Sequence, residues 1–113
     1  MLILRKTQLE ILAEHSRQSF EDRLVQYLSQ AVPLEFENTG EDRVRELIRG
    51  GMQRAEGYDI VDEIDVTHFV ELMLAIEPEW EFAPHRQWAC DILRDDDLTG
   101  HLKMELIYER IDS

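Results

Sequence analysis

The sequence predicts an all-α protein: one compact bundle of about five helices. Three observations predict it. Apolar residues recur at threes and fours along most of the chain, and no stretch alternates in the two-residue rhythm of a strand. The three prolines fall between these stretches, as helix breakers should. The length, 113 residues, suits a single domain over residues 1–113, because two would each be too small to hold a core.

Thr7 and Glu10 have the spacing of a capping box and open the first expected helix. Leu9, Leu12, Ala13, Ser16, Phe20, Leu24, Tyr27, Leu28 and Ala31 form its apolar stripe, and Pro33 closes it. At roughly 24 residues this would be the longest element, about 36 Å. Asn38-Thr39-Gly40 is a turn signal, and Thr39 with Asp42 is expected to cap a second helix. Its inner face is Val44, Leu47, Ile48, Gly51, Met52 and Ala55, and Gly57 is expected as a left-handed C-terminal cap. Gly50 and Gly51 each cost on the order of 1 kcal/mol relative to alanine in mid-helix. On the inner face, Gly51 predicts the close approach of a neighbouring helix.

A third helix is expected to start near Asp62, where Asp62, Glu63 and Asp65 suit the positive end of its dipole. Val66, Phe69, Val70, Met73, Leu74 and Ile76 give it a wide apolar face, so it should be the most buried helix, and Pro78 ends it. Pro84 suits the first turn of a fourth helix bearing Trp88, Ala89, Ile92 and Leu93. Asp95-Asp96-Asp97 breaks the pattern. Thr99 then caps a final helix with Leu102, Leu106, Ile107 and Ile111 inward.

Composition excludes several function classes. The formal charge of −13 disfavours nucleic acid and anionic membranes as partners, since neither gains from meeting such a field. No run approaches the ~20 apolar residues of a membrane span. Cys90 is the single cysteine, so an internal disulfide is excluded and a reducing, cytoplasmic setting is expected. Met1-Leu2-Ile3-Leu4 precedes Arg5-Lys6, the reverse of a secretory signal's order.

No catalytic or cofactor motif is present. There is no nucleophile elbow, phosphate loop or dinucleotide fingerprint. Cys90 sits on an amphipathic helix and reads as a structural thiol. His15, His68, His85 and His101 lack the three- or four-residue spacing that sets two ligands on one helical face. Asp95, Asp97, Thr99, Gly100 and His101 fit the opening of a calcium loop. However, Leu106 stands where its bidentate glutamate must be. The expectation is no enzyme, no metal and no cofactor.

Charge distribution is the most informative feature. No lysine or arginine lies between Arg54 and Arg86, yet nine carboxylates do: Glu56, Asp59, Asp62, Glu63, Asp65, Glu71, Glu77, Glu79 and Glu81. The second helix instead carries Arg43, Arg45, Arg49 and Arg54, with local pairs expected from Glu41 to Arg45 and from Glu46 to Arg49. Two readings compete: the acidic third helix neutralises the arginine face or simply faces water, or it docks a basic partner. Within the stretch, Trp80 and Phe82 alternate with Glu79 and Glu81. Aromatics there cap a core or anchor an interface. The candidate partner-binding residues are therefore Glu77, Glu79, Trp80, Glu81 and Phe82, with Arg45 and Arg49 as the rival surface.

Several segments also carry a resemblance. They are Phe20-Glu21-Asp22-Arg23-Leu24, Val44-x-x-Leu47-Ile48-Arg49 with Arg54-Ala55, and Asp65-Val66-x-x-Phe69-Val70-x-Leu72-Met73-Leu74. Pro78, Phe82 and Trp88-Ala89-x-x-Ile92-Leu93 continue it. Over about residues 5–111 the chain resembles small helical accessory proteins encoded in bacterial type VI secretion effector clusters. Ala83 departs from that pattern, which often has a polar cap before the proline. The resemblance implies a cytoplasmic co-chaperone or adaptor for an effector or its loading adaptor, with no catalytic residues. The alternative is an immunity protein whose charge steers it to a basic toxin.

Overall fold

The computed structural model describes residues 19–112, and every regular element among them is helical. Six α-helices and two 3-10 turns replace the five expected helices. The all-α bundle stands; several boundaries move, each for a local reason.

Helix α1 (Phe20–Ala31) begins where the first expected helix should have been continuous. Ser19 leaves helical geometry (φ −62°, ψ 155°), and its side chain accepts from the Asp22 amide at 3.2 Å. Glu21 and Asp22 then favour the positive dipole end. The Thr7–Glu10 box and the stripe from Leu9 to Ser16 lie outside the described residues. Pro33 does close α1, but it also opens α2 (Pro33–Thr39), because a missing N–H costs nothing at a helix's first position.

Thr39 therefore ends α2 rather than capping the next helix. Gly40, at φ 87°, precedes α3 (Glu41–Gly57) without a side-chain cap. Gly57 is the last helical residue, not a left-handed cap; the left-handed corner falls on Asp59 (φ 63°), a residue type that tolerates it. On the inner face of α3, Val44, Leu47, Ile48, Gly51 and Ala55 are buried as expected. A Cβ on Gly51 would lie 2.6 Å from Met73 Sδ and 3.0 Å from Val70 Cγ2. The close approach is to α4.

Helix α4 (Glu63–Ala75) starts after Asp62, buries nine of its residues and packs against α1, α2, α3 and α6. Ile76 falls beyond the helix and is exposed, so it leaves the predicted inner face. The two 3-10 turns, Trp80–Phe82 and Pro84–Arg86, lead into α5 (Gln87–Leu93). The expected fourth helix thus opens as a 3-10 turn at Pro84.

Helix α6 (Gly100–Asp112) is capped by Thr99, whose hydroxyl accepts from the Leu102 amide at 3.1 Å. Its buried residues are Lys103, Met104, Ile107 and Tyr108, while Leu102 is exposed and Leu106 and Ile111 are half-buried. A Cβ on Gly100 would lie 2.4 Å from the Asp59 carbonyl oxygen, so the first turn of α6 closely approaches the α3–α4 corner.

Candidate functional site

Glycine at 51 lets α3 and α4 pack closely, and between them the chain turns sharply at residues 58–62. This geometry decides which of the nine carboxylates find partners. Arg23 of α1 donates to both oxygens of Glu63, at 3.0 and 2.9 Å. His101 pairs with Asp65 at 3.0 Å, and that hydrogen bond holds the imidazole above its ordinary pKa. Tyr27 donates to Glu71 inside the core. Arg86 pairs with Glu77. Arg54 grips Glu81 with two donors at 3.0 and 2.7 Å, and the Tyr58 hydroxyl adds a third contact at 3.2 Å. Burial, then the Glu81 charge, push the Tyr58 phenol up to about 12.

Glu56, Asp59, Asp62 and Glu79 make no ion pair and no side-chain hydrogen bond among the described residues, and all four are exposed. One of the four, Glu56, lines a groove of about 720 Å³ between α1, α3 and the start of α4, whose lining also includes Ile60 and Val61. Ile60 and Val66 form buried parts of its wall, Phe20 and Met52 are half-buried, and Val61 stands 67% exposed. Of the groove's three carboxylates, Glu21 and Glu63 are held by arginines, and Glu56 has no ion pair among the described residues.

The predicted partner-binding residues divide. Trp80 is fully buried and meets Phe69 edge-on, with ring centroids 5.1 Å apart, so it is a core residue and not a surface anchor. Glu81 is fully buried against Arg54 and is equally removed from the surface. Phe82 is 51% exposed, with the Arg54 guanidinium 5.9 Å from its ring centre. Glu79 is exposed and unpaired; Glu77 is half-exposed and held by Arg86. Arg45 and Arg49 are occupied: Arg45 binds Glu21, Asp22 and Glu41, and Arg49 binds Glu21. These guanidiniums draw the Glu21 carboxyl below its usual pKa. The arginine face is thus neutralised chiefly by α1, not by the acidic third helix. Of the local pairs, Glu41–Arg45 forms, while Glu46 pairs with Arg43 instead of Arg49.

Sequence reasoning named Glu56 only as a member of an acidic run. The missed signal was Ile60-Val61, an apolar pair between Asp59 and Asp62 where two helices meet, of which Ile60 is buried and Val61 exposed.

Other titratable groups serve the fold. Lys103 is buried and donates to the Tyr58 carbonyl at 2.8 Å, holding α6 to the corner. Burial lowers the His68 pKa, and its ring stacks obliquely on Tyr108. Cys90 is buried. Asp95 accepts from the Asp97 amide at 2.9 Å, making a local turn. Among the described residues, no three His, Cys, Asp or Glu side chains gather so as to hold a metal ion. No helix among them is long and apolar enough to cross a membrane. Compared with known proteins, the chain matches no family model, no curated protein and no solved structure.

Proposed function

We propose that this chain is a non-enzymatic accessory protein acting by protein–protein contact. In the bacterial cytoplasmic setting the resemblance implies, it would be a co-chaperone or adaptor for a type VI secretion effector or its loading adaptor. One observation supports the contact reading: a mostly apolar groove stands open between α1, α3 and the start of α4, with the exposed Glu56 in its wall. Most other carboxylates of the basic-free stretch have partners or a backbone role: Asp59 takes the left-handed corner, and Asp62 precedes the first turn of α4. Glu56 and Glu79 have neither among the described residues. The test is co-expression with the protein encoded beside it. The expected result is co-purification and more soluble effector, with no change in the survival of cells carrying an active toxin. Protection of those cells would favour the immunity reading, for which the charge of −13 is the supporting observation.

A further inference from the structure

We infer that the seam between α1 and α4 is a proton-gated latch: a proton on Glu71 keeps it closed, and loss of that proton loosens α1. The Glu71 side chain is fully buried. The Tyr27 hydroxyl donates to one of its oxygens, and the other has no hydrogen-bond partner among the described residues. A carboxylate taken out of water needs a cation or several donors. Here a single donor meets it, so the charged form lacks most of what water would supply.

The groups around Glu71 do not take up that charge. Burial, and then the Glu71 carboxylate itself, push the Tyr27 and Tyr108 phenols up, so both stay protonated. Tyr108, which α6 presents, already donates to the His68 carbonyl at 3.0 Å, and Asp112 near it has the wrong sign. His68, three residues back on α4, is held toward its neutral form by burial. On α1, Arg23 is engaged with both oxygens of Glu63. The buried face of α3 is apolar, and its Arg54 is committed to Glu81. Helix α2 buries no residue, and its ionisable groups, Glu35 and Glu37, are acids.

An ionised Glu71 regains water only where a neighbouring helix gives way. Helix α4 packs most heavily on α3, less on α6 and least on α1 and α2. Of these four, α1 supplies the side chain that bonds the carboxyl. The ion pairs of Glu21 with Arg45 and Arg49 meanwhile keep α1 on α3, so the α1–α4 seam opens and not the whole bundle. With the seam open Glu71 has its ordinary pKa, about 4.3; with the seam closed it has a higher one. Opening therefore grows with pH between those two values, by at most about tenfold per unit, and levels off above the higher.

The experiment follows the full chain by nuclear magnetic resonance from pH 4 to pH 8. The Glu71 carboxyl carbon should titrate above the ordinary glutamate range. Hydrogen exchange at the Leu24, Val25 and Leu28 amides of α1, corrected for intrinsic base catalysis, should quicken over the same interval. The Ile48 amide of α3 and the Ile107 amide of α6 should not follow. Glu71→Gln should abolish the pH-dependent part. Tyr27→Phe removes the one donor to the charged form, so it should move the titration and the levelling-off to higher pH. That shift decides the matter on its own, because it needs no change at Glu71.

Titration of Glu71 at or below the ordinary value would overturn the inference, since a cation from elsewhere in the chain would then hold it. So would exchange that quickens equally in α1, α3 and α6, which would mean global unfolding. Unchanged α1 protection across the Glu71 titration would give the charge to entering water and leave no latch.

Discussion

The Tyr27 hydroxyl donates to Glu71 Oε1 in the middle of the core, joining α1 to α4 across 44 residues of sequence. Glu71 is fully buried, and its second oxygen has no hydrogen-bond partner among the described residues. Among the described residues no cation pairs with it, so burial raises its pKa and the Tyr27 hydrogen bond only partly offsets that.

The sign of the resulting pH dependence follows. A carboxyl whose folded pKa is raised contributes stability below its unfolded value, about 4.3, and loses it as pH rises through the folded pKa. Glu71→Gln keeps an acceptor for Tyr27 and cannot ionise. Its stability relative to the parent should therefore grow with pH, by at most about 1.4 kcal/mol per unit within that window. Denaturant titrations from pH 4 to pH 8 measure it; a constant difference would refute the assignment.

Arg54 is the sole cation on Glu81 among the described residues. Arg54→Met should cost about 3–5 kcal/mol, because a buried carboxylate is left unpaired. The double variant Arg54→Met, Glu81→Leu should recover much of that loss. Urea denaturation of the three chains tests the coupling.

Trp80→Ala should cost about 3–5 kcal/mol of stability through the cavity it opens. The Tm of the free chain should fall markedly. An unchanged Tm would return Trp80 to the surface.

The two adjacent glycines of α3 should respond oppositely. Gly50→Ala enters open space and should stabilise by about 0.5–1 kcal/mol. Gly51→Ala drives a methyl into Met73 and Val70 and should destabilise by about 1–2 kcal/mol. Thermal melts of both variants suffice, and equal signs would contradict the packing described.

His101 gives a second pH signature. Its pKa is raised chiefly by the Asp65 hydrogen bond, so its contribution is complete below about pH 6.5 and is lost as pH rises through the folded value. His68, lowered by burial, acts in the opposite sense. The quantity to read is therefore the difference between His101→Asn and the parent. The parent's advantage should be present at pH 6 and shrink by pH 8.

Helix identity was legible in the sequence because each core face repeats on a 3.6-residue period, and α3 and α4 carry theirs with few exceptions. Boundaries were less legible. Ser19 sits inside an unbroken apolar rhythm, so a local cap competed with periodicity and won. Pro33 was read as a stop when it is also a start. The site was least legible, because pairing is a property of three dimensions. Nothing near Glu81 in sequence says that Arg54 will bury it, and nothing near Glu21 says that Arg45 and Arg49 will meet there. Trp80 and Phe82 look alike in sequence; a single 3-10 turn sends one to the core and leaves the other half in water.

Gly100 and Lys103 both bear on the 58–60 corner, yet neither lines the groove beside it. α6 thus behaves as a clamp that fixes an aperture from behind. The corner also carries backbone bonds of its own, from the Asp59 amide to the Glu56 carbonyl and from the Ile60 amide to the Ala55 carbonyl, both at 2.9 Å. It is therefore turned from within and braced from outside. Lys103→Met would remove one brace and leave the turn's own bonds in place.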